Sequence, residues 1–183
     1  MDIDLNEIKV ESEWPLIARI KDDLFPYEGY DHIRYTARAL AENEEGKFGF
    51  LHIVGEDYFG VRDHLETCGG GMEENEGVFD TLQREIMEEM GFKTKGMKIV
   101  GSILDAYNLL KRVTYSSFAH AYVDTKENFA LERTEAEQIL IQEIVWLPPE
   151  EALYRVEHIY SSRVDLIVQR RDAAALRYYL EHR

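Results

Sequence analysis

Arg84, Glu85, Glu88 and Glu89 fall within one short stretch near the middle of the chain, with Glu76 a little upstream. Carboxylate oxygens gathered this closely suit a hard divalent cation, Mg²⁺ or Mn²⁺, whose shell is completed by water and substrate phosphates. Residues 77–90 have helical periodicity, and Gly91 stands where a helix stop is expected. At 100° per residue, Val78, Phe79, Leu82, Ile86 and Met90 occupy one arc about 120° wide. Glu85 and Glu89 fall at the edge of that arc or inside it, and Glu88 falls to the side with Arg84 beyond. A merely solvated acidic face would lie opposite the apolar stripe. Burying a carboxylate is costly unless it is paired or coordinated, and like charges at i, i+4 repel. The pattern therefore points to a bound cation, and the bland alternative is a glutamate-rich surface helix.

These residues need elements to hold them. Cys68-Gly69-Gly70-Gly71 reads as a tight loop that brings backbone close to a ligand. Strands are expected over 32–41 and 48–54, joined by a turn at 42–47. The stretch 55–71 reads as loop, with room for a short strand near 65–68. After the helix, strands are expected at 98–106 and 113–123, then a polar loop from Asp124 and a strand ending near Trp146. A short helix should occupy 150–156, and a capping box begins the last helix at Ser162-Arg163-Val164-Asp165. Residues 1–30 read as an irregular N-terminal extension packed on a single domain spanning 31–183. Strands mixed with a few helices in this order suggest α+β or an α/β/α sandwich around a mixed sheet.

The chain has 183 residues, a formal charge of −15 and 45% hydrophobic residues. That suits one folded domain. The acidity argues against nucleic acid or an anionic membrane as partner, because such binding rests on a basic surface. A small phosphorylated substrate remains compatible if a cation mediates the contact. No apolar run approaches membrane-spanning length and no signal-peptide order is present. The single cysteine, Cys68, fits a reducing cytoplasm.

Gly70, five residues, Glu76, seven residues, then Arg84-Glu85-Ile86-Met87-Glu88-Glu89-Met90-Gly91-Phe92 resembles the Nudix box, matching every fixed position over 23 residues. The resemblance implies an α/β fold and a pyrophosphohydrolase acting on phosphorus-containing acid anhydrides. It implies that Glu85, Glu88 and Glu89, with the Gly70 carbonyl, hold Mg²⁺ or Mn²⁺, and that Glu76 and Arg84 brace the loop against the helix. Members of that family differ in whether the general base is the glutamate matching Glu85 or one in a later loop. Glu135, Glu137 and Glu143 are the candidates for the later acid.

Cys68 stands where many family members have proline. Isopentenyl diphosphate isomerases share the fold and keep a catalytic cysteine near this point, but with a degenerate box and a nearby histidine, so the isomerase is a rival reading. A second rival is a regulatory protein that binds nucleotide without turnover. The substrate expected from the resemblance is a nucleoside diphosphate linked to another moiety, such as a dinucleoside polyphosphate or a nucleotide sugar. Tyr107, sixteen residues past Gly91, matches a tyrosine that marks many dinucleoside polyphosphate enzymes. Lys111 and Arg112 follow and could contact phosphates, and Arg62 and His64 are further candidates upstream. The six histidines show no metal-ligand spacing and read as surface or core. The C-terminal segment reads as a packing helix that could also serve a homodimer.

Overall fold

A row of small residues sets where the glutamate helix can lie. Strand β2 (His32–Glu42) turns Ala37, Ala39 and Ala41 to one face, and Ala119 and Ala121 of β7 (Arg112–Asp124) continue it. Against this shallow surface pack Val78, Leu82, Ile86 and Met90, all buried, from α1 (Val78–Glu85) and the turn that follows. Phe79, expected on the same arc, is 41% exposed instead. The expected helix changes character after Glu85. Residues Ile86–Met90 form a single wide π-helical turn, ended by Gly91 in the left-handed conformation (φ 73°). Such turns are uncommon and concentrate at functional sites.

The structure is a computed structural model describing residues 3–10, 13–158 and 162–183; residues 1, 2, 11 and 12 of the expected N-terminal extension lie outside it. The remaining elements are β1 (Leu16–Ile20), β3 (Phe48–Asp57), β4 (Gly60–Glu66), β5 (Cys68–Gly71), β6 (Lys93–Tyr107), α2 (Glu135–Leu140), β8 (Ile141–Leu147), α3 (Pro149–His158) and α4 (Arg163–His182). The sheet is mixed, ordered β1-β6-β7-β2-β3-β4, with β5 added on β2 and β8 on β3. Strands β1 and β6 run parallel, as do β7 and β2, and the other pairs are antiparallel. Helix α1 covers one face, while α3 and α4 cover the other through Ala152, Val156, Ala175 and Leu176. This is the expected α/β/α sandwich.

Three segments differ from expectation. The stretch 55–71 is mostly strand, because β3 runs on to Asp57 and turns into β4 and β5. Strand β4 escapes a sequence reading because its polarity is inverted. Arg62 and His64 are buried, facing Asp165 on α4, while Val61 is 59% exposed. The N-terminal stretch is not wholly irregular, since Leu16–Ile20 pairs with Ser102–Asp105 of β6. Within the polar loop after Asp124, Thr134 caps the short α2, accepting from the Glu137 amide while Glu137 accepts from the Thr134 amide. The last helix starts as expected, with the Ser162 side chain accepting from the Asp165 amide.

Candidate active site

Strands β2 and β3 pair over only two residue couples, Ala41↔Gly49 and Glu42↔Phe48. Beyond them β2 takes β5 as neighbour and β3 takes β8 and β4. A cleft of about 380 Å³ opens where the strands part, bordered by Gly69–Gly71, Glu85 and Glu89, by Arg34 and Arg38 of β2, and by Thr134 and Glu137 of α2.

Glycine is required twice in β5. Gly69 has φ 143°, and a Cβ there would lie 2.1 Å from the Ala37 carbonyl oxygen. At Gly70 a Cβ would lie 2.3 Å from Glu85 Oε1, so bare backbone abuts the carboxylate. Glu89 is 6% exposed and Glu85 7%. The Gly69 amide donates to Glu89 Oε2 at 3.1 Å. Burial pushes the Glu89 carboxyl up to about 8, and burial likewise raises Glu85 despite the bond from Arg84. These are carboxylates held where their charge is costly.

Arg84 organises the rest. It donates to both oxygens of Glu76 (2.8 and 2.9 Å), to Glu85 (2.7 Å), to the Gly71 carbonyl (3.2 Å) and, more weakly, to Glu88 (3.4 Å). Through it the loop, the helix and β5 become one unit, and Glu76 is held down at about 2. The wide turn is anchored separately: Arg133 donates twice to the Glu89 carbonyl, and the Glu132 amide donates to that of Glu88.

The oxygens of Glu85 and Glu89 beside Gly70 form a donor set of the kind hard cations take. Among the described residues no three acidic, histidine or cysteine side chains converge closely enough to hold an ion by themselves. Glu88 leans toward Arg84, so water and substrate oxygens would have to complete the shell.

The family model described as NUDIX domain matches residues 32–166 of the 183. The chain belongs to the Nudix family. By that membership it is a pyrophosphohydrolase. Among solved structures it is similar to the Escherichia coli ORF135 protein (19% identity, TM-score 0.57, covering 82% of this chain and 90% of that one). It is also similar to a NUDIX hydrolase from Nitrosomonas europaea (14%, 0.57, covering 81% and 88%) and to an ADP compounds hydrolase (16%, 0.57, covering 81% and 71%). At these identities the likeness is one of fold. No curated protein matches the chain.

The Nudix box thus places Gly70, Glu76, Arg84, Glu85, Glu88 and Glu89 together as the sequence suggested. Of the acids weighed as a later base, Glu137 borders the cleft, Glu135 is exposed at the start of α2, and Glu143 faces His52 at 3.4 Å. Tyr107 is 8% exposed, lies outside the cleft lining and packs with Val164 and Ile167 of α4. Lys111 is exposed in the turn before β7 and pairs with Glu28 at 2.8 Å, also outside the cleft. Arg112 is half-buried, 5.3 Å over the Tyr107 ring. Arg62 borders the cleft, tied to Asp57 and Asp165, and His64 is buried in the same network. Cys68 is fully buried, and burial pushes its thiol well above the ordinary range. Sequence reasoning missed Arg34, Arg38 and Glu66. The signal was present: Arg34, Thr36 and Arg38 alternate with Ala37, Ala39 and Ala41, so one face of β2 is polar where the other is apolar.

Among the described residues no helix is long and apolar enough to cross a membrane.

Proposed function

We propose that this Nudix protein hydrolyses a diphosphate linkage in a nucleoside diphosphate joined to another moiety, with Mg²⁺ or Mn²⁺ held by Glu85, Glu89, Glu88 and the Gly70 carbonyl. The observation that carries the reading is the pair Glu85 and Glu89, buried one turn apart, with no cation among the described residues bonded to Glu89. A divalent ion supplies charge neutralisation on phosphate oxygens and lowers the pKa of bound water.

The protein does the rest by position. Arg84 fixes the direction of Glu85 and ties it to β5 through Glu76 and Gly71. Arg38, on β2 beside Gly69, presents positive charge to the phosphates of the linkage that is cut. Water attacks one phosphorus, the bond from that phosphorus to the bridging oxygen breaks, and the bridging oxygen leaves with the electron pair. The water proton passes to a cleft carboxylate, Glu85 or Glu137. Glu137→Gln separates the two: kcat lost at unchanged metal affinity assigns the base to Glu137, and kcat retained assigns it to Glu85. The burial and raised pKa of Cys68 speak against the thiol chemistry of an isomerase.

The test is phosphate release from nucleotide sugars, dinucleoside polyphosphates, NADH and nucleoside triphosphates, with EDTA, Mg²⁺ or Mn²⁺. Activity should vanish in EDTA and return with either metal. Nucleotide binding without turnover in any metal would favour the regulatory rival, and conversion of isopentenyl diphosphate the isomerase.

A further inference from the structure

Among the described residues two arginines, Arg34 bordering the cleft and Arg112 on the neighbouring strand, form no ion pair with an acidic residue, in a chain with 36 acidic and 21 basic residues. On the polar face of β2 and β7, Arg38 is held by Glu66 at 2.8 Å, and Arg171 of α4 by Asp172 at 2.7 Å. Among the described residues, Arg34 and Arg112 form no such pair, and Arg112 Nε is buried with no hydrogen-bond partner at all. The parallel register His32↔Arg112 and Arg34↔Thr114 puts the two on one face, diagonally across neighbouring strands. Arg34 feels the charges of Arg38 and Arg171 first and those of Glu66 and Glu85 after them, without pairing with either acid, and Arg112 feels those of Arg34 and Arg171. Asp105, whose carboxyl burial pushes up to about 6, acts on Arg112 through space without a hydrogen bond or ion pair to it. The Arg112 guanidinium is lowered in pKa by burial first and by Arg34 next.

Like charges placed side by side without a counter-ion are destabilising. They become an asset when a dianion bridges them, because planar guanidinium forks match phosphate oxygens. The location says which phosphate. Arg34 borders the cleft, and its Nη2 lies 3.4 Å from where a Cβ on Gly71 would stand. That is one residue along β5 from Gly70 and Glu85. We propose that Arg34 and Arg112 form an anion subsite that receives a phosphate of the substrate outside the linkage being cut. Substrates with an extra phosphate are therefore preferred over those whose second half is a neutral sugar. This deepens the hydrolase reading and rests on it for the phrase "outside the linkage being cut"; the subsite itself does not depend on turnover.

Steady-state kinetics of wild type, Arg34→Ala and Arg112→Ala would compare a dinucleoside tetraphosphate with a nucleoside diphosphate sugar. For the tetraphosphate, KM should rise about tenfold or more in each variant, the scale of a lost charge-assisted bond, with kcat changed little. For the sugar nucleotide, KM should stay within about twofold. Equal rises for both substrates, or none, would overturn the subsite. Comparing NADPH with NADH tells a ribose phosphate from one in the chain, since only a subsite that reads the ribose position favours NADPH. Calorimetric titration with inorganic tripolyphosphate in EDTA gives a readout without catalysis. Wild type should bind it, and each variant should bind about tenfold more weakly or worse. Failure of wild type to bind overturns the subsite whatever the enzyme hydrolyses. Binding with no turnover of any substrate sinks the hydrolase reading and leaves the subsite standing. Arg34 is exposed, so its variant keeps the test available should Arg112→Ala melt early.

Discussion

Glu89 is kept 6% exposed beside Glu85 while burial raises the carboxyl to about 8, a costly placement unless a cation relieves it. Glu89→Gln keeps the shape and removes the charge. In metal it should lower kcat by roughly two to four orders of magnitude, about 3–5 kcal/mol of transition-state stabilisation. Without metal it should melt at the wild-type temperature or above, because the amide carries no desolvation cost of a buried carboxylate. A variant that folds, keeps full activity and still responds to Mg²⁺ would remove Glu89 from the site. Tyr107 carries the opposite expectation. Its ring is buried with Val164 and Ile167, so Tyr107→Ala should cost about 3–5 kcal/mol in denaturant unfolding. A large rise in KM at unchanged stability would return the residue to the substrate pocket.

At the scale of elements, β5 and the polar interior under α4 each make a separable prediction. In β5, Gly70→Ala meets only the end of the Glu85 side chain, whereas Gly69→Ala meets the Ala37 carbonyl at φ 143°. The first should fold normally and lose roughly a hundredfold or more in kcat/KM, the cost of a displaced catalytic group. The second should lower the melting temperature. If both lose stability alike, the closeness of Gly70 to Glu85 has no catalytic meaning. Under α4, Asp165 is fully buried and holds Arg62 at 2.6 Å and His64 at 3.0 Å. Burial disfavours charge on His64, but Asp165 and Glu66 outweigh it and raise its pKa from 6.5 to about 9. A pKa raised on folding stabilises fully below the unfolded value and stops doing so as pH rises through the folded one. Unfolding free energy should therefore decline between pH 6.5 and 9, and His64→Gln should flatten that decline. Asp165→Asn should cost about 3–5 kcal/mol, because it strands buried positive charge.

For the molecule as a whole, we propose one domain over residues 31–183 with the first thirty packed on it through β1. That strand pairs with Ser102–Asp105, so removing residues 1–30 would uncover a sheet edge containing Ile103 and Leu104. Uncovered edges lose pairing and invite association. The shortened protein should melt earlier and scatter light on standing. Equal melting temperature and a monodisperse solution would make the segment an appendage with no structural part.

The spacing from Gly70 to Phe92 was enough to read the box, the helix, its stop at Gly91 and the burial of Glu85 and Glu89. Helical periodicity and a left-handed glycine are local properties, carried by neighbours in the chain. The hairpin 32–54 was legible for the same reason, since alternation on β2 and β3 is a property of each strand. The tertiary structure decided what depends on facing partners. Strand β4 hides because two of its three buried side chains are Arg62 and His64, held by Asp165 a hundred residues later as well as by Asp57 and Glu66 nearby. Glu137 is set apart from Glu135 and Glu143 only by the fold of α2 over the cleft. Tyr107 became core and Lys111 an outer ion pair because α4 and Glu28 reach them from distant parts of the chain. Arg34 and Arg112 could be seen as a pair only once β2 and β7 lay side by side, because parallel strands join residues that no sequence window holds together.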